Sequence, residues 1–162
     1  MSITKVRGKD DTVLNILAEN LRICDDSIAW LMCDPRPLSV SEALDTISDL
    51  LCQLDKKILV SINLSDNMIW VDGAYKIAEW LENQIELISL QYLDLAWNRI
   101  PNEGIRSIIN ACKPLLVVDC PIFENLNISG NYGAYRSNVE EIINEWDISD
   151  IQKIEVISKI EY

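Results

Sequence analysis

Tyr92, Asp94 and Trp97 fall in one short stretch, LQYLDLAWNRI. On an extended backbone alternate residues share a face, so Tyr92 and Asp94 point one way while Leu93 and Leu95 point the other. A ring beside a carboxylate on an open face is binding chemistry, since the ring buries area and the carboxylate selects cations. Catalytic chemistry lacks its parts. The chain has no histidine, which removes His-based general bases, Ser-His and Cys-His pairs and the commonest metal ligand. Cys24, Cys33, Cys52, Cys112 and Cys120 form no C-x-x-C pair and sit among apolar neighbours, the pattern of small buried thiols in a reducing compartment. No calcium loop, phosphate-binding glycine loop or Gly-x-Ser-x-Gly elbow occurs. The expectation is a non-enzyme with no cofactor and no metal.

The elements that position these residues repeat. With Asn98 as anchor, Leu90, Leu93, Leu95, Asn98, Ile100 and Gly104 recur as Leu59, Ile62, Leu64, Asn67, Ile69 and Gly73, an offset of 31 residues. FENLNISGNYG repeats the pattern once more as Phe123, Leu126, Ile128 and Asn131, an offset of 33. Two weaker copies flank these. IAWLMCDPRPL places Ile28, Leu31 and Cys33 in the strand positions with Arg36 at the anchor, and IQKIEVISK places Ile151, Ile154 and Val156 there with Lys159 at the anchor. In the last copy isoleucines recur every third residue from Ile148 to Ile160, so helix and strand both fit. Helical patterns lie between the anchors: SEALDTISDLLCQL with Ser41 as N-cap, AYKIAEWLENQI, NEGIRSIINAC ended by Pro114, and SNVEEIINEW.

The strand motif resembles the leucine-rich repeat, L-x-x-L-x-L-x-x-N-x-L, over about residues 28–160, and the full helix in each unit is similar to the ribonuclease-inhibitor-like subclass. The resemblance implies an α/β fold. It would be a leucine-rich-repeat solenoid with a short parallel sheet on the concave side, helices on the convex side and an N-terminal capping helix. It also implies that Asn67, Asn98 and Asn131 form a hydrogen-bonded ladder between turns. The expected organisation is a single domain, 1–162, with an N-terminal cap at 1–27 holding a helix over about 10–24 (Val13, Leu14, Leu17 and Leu21 inward). Four to five repeat-like units follow over 28–162.

If the pattern residues point inward, the intervening residues line the open sheet. The first row would then be Trp30, Ser61, Tyr92, Asn125 and Lys153. The second would be Met32, Asn63, Asp94, Asn127 and Glu155, and the third Asp34, Ser65, Ala96, Ser129 and Ile157, with Asp66 and Trp97 on the turns. The partner-binding candidates are therefore Trp30, Met32, Asp34, Asp66, Tyr92, Asp94, Trp97 and Glu155. Trp30 and Trp97 fit equally a place beneath loops as a satellite core. Trp80 and Trp146 end helical patterns and read as helix–sheet packing. Asn63-Leu-Ser65 and Asn127-Ile-Ser129 match the glycosylation acceptor by coincidence, being inside strands. Asp10-Asp11 and Asp25-Asp26 flank helix ends and read as caps.

Charge narrows the partner. Fourteen basic against 26 acidic residues give 14 − 26 = −12, a field that repels nucleic acid and anionic lipid and attracts cations. The N-terminus lacks the apolar core of a signal peptide and no run is long enough to span a bilayer, so a cytoplasmic protein is expected. The functional expectation is a module that binds and inhibits or sequesters a basic protein, similar in size and charge to bacterial immunity proteins that neutralise toxic nucleases. The alternative is an adaptor or effector that docks one protein onto another without inhibition.

Overall fold

A buried turn leaves backbone N–H and C=O groups that must find partners, and an asparagine amide offers both donors and an acceptor. The computed structural model describes residues 3–7, 13–18, 21–25, 27, 37–52, 59–84, 89–117 and 122–162. In it the three anchor asparagines join successive turns. Asn98 Nδ2 donates to the carbonyls of Leu64, Leu95 and Ala96 at 3.0–3.2 Å, and its Oδ1 accepts from Ile69 N at 3.1 Å. Asn131 does the same one unit on, with Leu95 O, Ile128 O and Ile100 N, and Asn67 one unit back, with Ala18 O, Leu64 O and Ile23 N. The ladder expected from the repeat is present at all three positions. Among the described residues every buried side-chain nitrogen and oxygen has a hydrogen-bond partner.

The chain order is β1 (Thr4–Arg7), β2 (Val13–Leu17), α1 (Val40–Leu51), β3 (Leu59–Asn63), α2 (Val71–Gln84), β4 (Ser89–Asp94), α3 (Asn102–Val117), β5 (Asn125–Asn127), α4 (Arg136–Asn144), α5 (Asp150–Ser158) and β6 (Ile160–Glu161). The strands form one sheet in that order; β1 is antiparallel to β2, and β2 to β6 run parallel. Ile16, Ile62, Leu93, Leu126 and Ile160 line one face of it and pack, buried, with Ile47, Leu81, Ile108 and Ile142 of the helices. Alternation turns the other face away from the described helices, and that face carries the site.

Several elements differ from the sequence reading. Residues 13–17, expected within a capping helix, are β2, because Ile16 enters the core while Asn15 and Leu17 turn outward in register with Ser61 and Asn63. Asn67 Oδ1 accepts from both Leu21 N and Ile23 N, so Leu21 occupies the anchor position of a first unit. β3 thus has β2 and β4 as neighbours, and the row positions assigned to Trp30 and Met32 belong to Asn15 and Leu17. Trp30, Met32 and Asp34 themselves lie outside the described residues, as do Asp10, Asp11, Asp26, Cys33 and Cys120.

At the other end the helix wins over the strand. Ser149 caps α5 with a capping box to Gln152, and the strand begins only at Ile160, paired with Leu126. Lys153 and Glu155 are therefore helical and off the sheet face. Glu155 is exposed and pairs with Lys159 at 3.6 Å. The cap of α1 is Ser39, not Ser41, since only Ser39 has a glutamate three residues on to complete the box. Pro114 does not end α3, because the extra turn buries Leu115 and Leu116 and that burial offsets one lost backbone bond. Cys24 and Cys112 are buried thiols, burial pushing Cys112 up to about 12, but Cys52 is exposed.

Trp146 packs as expected, its Nε1 donating to Asn110 at 2.9 Å and Lys113 standing 5.1 Å over its ring. Trp80 instead bridges two helices, donating to Ser48 of α1. Asp25 acts as a cap for α2: its two carboxylate oxygens accept from Trp70 N and Asp72 N at 2.9 and 3.1 Å. Burial raises its pKa against those backbone donors, which lower it. Gly73 is required there, because a Cβ would stand 2.4 Å from the Asp25 carboxylate.

Candidate functional site: the free sheet face and its turn edge

The parallel register sorts the free face into rows. Asn15, Ser61, Tyr92 and Asn125 stand side by side, and so do Leu17, Asn63, Asp94, Asn127 and Glu161. Together they line an open depression of about 550 Å³. Its charges are Asp94 and Glu161, set on either side of Asn127. None of its described lining residues is a lysine or arginine.

The asparagines and Asp94 also have a local duty. Asn63 Oδ1 accepts from both the N–H and the hydroxyl of Ser65, and Asn127 does the same with Ser129, at 2.7–3.1 Å. Asp94 Oδ1 accepts from Ala96 N at 2.9 Å. Each unit closes its strand with this side-chain turn. The Asn-x-Ser spacing that matches a glycosylation acceptor thus has a structural origin, the hydroxyl adding a second bond to the same oxygen. Asp94 keeps its other oxygen for the depression.

β4 holds one more residue than β3. Val60 pairs with Leu90 and Ser61 with Tyr92, so Gln91 is a bulge, whereas the repeat spacing matches Leu59, rather than Val60, to Leu90. Glu124 N donates to Gln91 O, placing Glu124 at the equivalent position beside β5. Bulges re-aim side chains. Here Gln91 Nε2 donates to Glu124 Oε1 at 2.7 Å and the Tyr92 hydroxyl donates to the other carboxylate oxygen. That bond raises the Tyr92 phenol above its ordinary value and holds the Glu124 carboxyl below its own. Tyr92 is 38% exposed, so its ring presents apolar area beside a fixed carboxylate. Glu124 was missed from sequence; its signal was the match of FEN to LQY in the repeat frame.

The turns after the strands carry the remaining aromatics. Asp66, Trp97 and Gly130 are equivalent positions, each just before an anchor asparagine, and all three have left-handed backbones with φ of 53°, 55° and 72°. Trp97 is 69% exposed. Trp70 and Tyr132, also exposed, meet edge to face at 6.5 Å along this same border. Of the sequence-derived candidates, Tyr92 and Asp94 come together on the free face, Asp66 and Trp97 together on its turn edge, and Glu155 falls elsewhere. Among the described residues no group of three or more Cys, Asp or Glu is arranged to hold a metal ion. Among them, too, no helix is long and apolar enough to cross a membrane.

Residues 86–108, which include β4, its turn and the start of α3, match a family model described as Leucine Rich repeat. The match supports a leucine-rich repeat in that segment. No match was found among curated proteins or among solved structures. Leucine-rich-repeat domains commonly mediate protein–protein interaction through their stacked strands, and are typically not enzymes.

Proposed function

We propose that the chain is a short leucine-rich-repeat solenoid of the ribonuclease-inhibitor-like kind. Its free, concave sheet face binds a basic protein and inhibits or sequesters it, as an immunity-type inhibitor of a toxic nuclease would. The observation that carries this reading is the charge of the depression. Asp94 and Glu161 line it, Glu124 stands beside it, and no lysine or arginine is among its described lining residues. A net charge of −12 extends the same sign to long range and speeds capture of a cationic partner. The reading places the protein in the cytoplasm, a reducing compartment in which Cys52 and Cys112 persist as free thiols.

Capture from native-cell lysate tests it, with wild type compared with Asp94→Asn plus Glu161→Gln. A basic protein held by wild type, released as salt rises past about 0.3 M and poorly held by the variant supports the reading. Capture of a neutral or acidic protein, insensitive to salt and to the variant, replaces it with an adaptor that docks through the aromatic turn edge.

A further inference from the structure

A left-handed backbone costs most residues free energy and is ordinarily left to glycine, asparagine or aspartate. Two of the three equivalent turns obey that rule with Asp66 and Gly130, while the middle one holds Trp97. The indole gains little shelter in return, being 69% exposed. Its position is nevertheless defined. A Cβ on Gly130 would stand 2.8 Å from Trp97 Cδ2 and Cε3 and 3.3 Å from Cε2, so the ring lies flat over the bare glycine backbone. One indole face is thereby seated and the other is open. Strain kept at an exposed aromatic ring with one face seated on a glycine points to use of that ring.

The surroundings say what the open face takes. Asp66 is exposed on the adjoining turn, about 5 Å away at strand spacing. Asp94, with its depression, lies three residues back, no more than about 11 Å along the chain. Arg99, two residues on, is exposed, yet among the described residues the only cation lying over an aromatic ring is Lys113 over Trp146. We infer that Trp97 is the anchor for a guanidinium of the basic partner, which stacks on the open indole face at the rim of the acidic depression. This rests on the basic-partner reading and names the contact within it. Trp is the best ring for such stacking, and a preorganised ring loses little entropy on binding.

An alternating Arg–Gly dodecapeptide is the probe, with its Glu–Gly counterpart as control, titrated by fluorescence anisotropy at about 0.15 M salt. The proteins are wild type, Trp97→Gly, Trp97→Asn and Trp97→Phe. Glycine and asparagine suit the left-handed turn, so both variants retain the fold, and melting curves verify this. The expected result is binding of the Arg–Gly peptide alone, weakened about ten-fold in the Gly and Asn variants and partly restored by Phe. Unchanged affinity in Trp97→Gly and Trp97→Asn overturns the anchor while leaving the basic-partner reading intact. Failure of wild type to prefer Arg–Gly over Glu–Gly overturns that reading and the anchor with it.

Discussion

At the scale of single residues, the asparagine ladder and the two tryptophans Trp97 and Trp146 make opposite claims on stability. Asn98 is 4% exposed and satisfies four backbone groups. Asn98→Ala strands them in the interior, and a loss of about 3 kcal/mol in urea unfolding is the expected outcome. Trp146 is buried with its indole N–H paired, so Trp146→Ala costs about 3–5 kcal/mol by the same measurement. Trp97→Gly, by contrast, removes an exposed ring from a strained backbone and costs less than about 1 kcal/mol, relief of the left-handed strain offsetting the added chain entropy. A loss as large as that of Trp146→Ala would make Trp97 core rather than surface. The ladder was legible in the sequence because its spacing repeats. Trp97's exposure was not, since the same letters fit a residue tucked beneath a loop.

Among the elements, the bulge shared by β4 and the segment before β5 fixes the Tyr92–Glu124 bond and with it a pH window. Glu124 has a lowered pKa in the folded protein, so its contribution is full above its ordinary 4.5 and is lost as pH falls through the folded value. Tyr92 has a raised pKa, so its contribution is full below its ordinary 10.0 and is lost as pH rises through the folded value. The bond is therefore whole between those limits. Glu124→Gln should return the Tyr92 phenol towards 10.0 in an ultraviolet titration. An unmoved titration would mean that Glu124 does not hold the phenol. The bulge itself was hidden, because Leu59 and Val60 are both apolar and the L-x-x-L spacing matches Leu59 to Leu90 while the register pairs Val60 with it. β2 was hidden for a related reason: Val13, Leu14, Leu17 and Leu21 satisfy helical spacing, and only the frame Val13-x-x-Ile16-x-Ala18 reveals a strand. At the C-terminus the decisive signal was present as Ser149-x-x-Gln152, a capping box that marks a helix start.

For the whole molecule, a charge of −12 and an acidic free face make association with a cationic partner an electrostatic event. Its association rate should fall about ten-fold between low and moderate salt while dissociation changes little, as stopped-flow mixing with the Arg–Gly peptide would record. Equal salt sensitivity of dissociation would place the charges in the buried contact instead. The repeat architecture was legible at this scale because each unit restates the last. The occupant of the face was not, since a parallel sheet with polar residues on one side serves many partners. The central claim is that the free face of β2 to β6 is where that partner sits. Amide chemical-shift mapping of the labelled protein against the Arg–Gly peptide tests it most directly. Shifts concentrated at Tyr92, Asp94, Asn127 and Glu161 and at the Trp97 turn are the result this account requires; shifts confined to α1 to α5, with the sheet face silent, would contradict it.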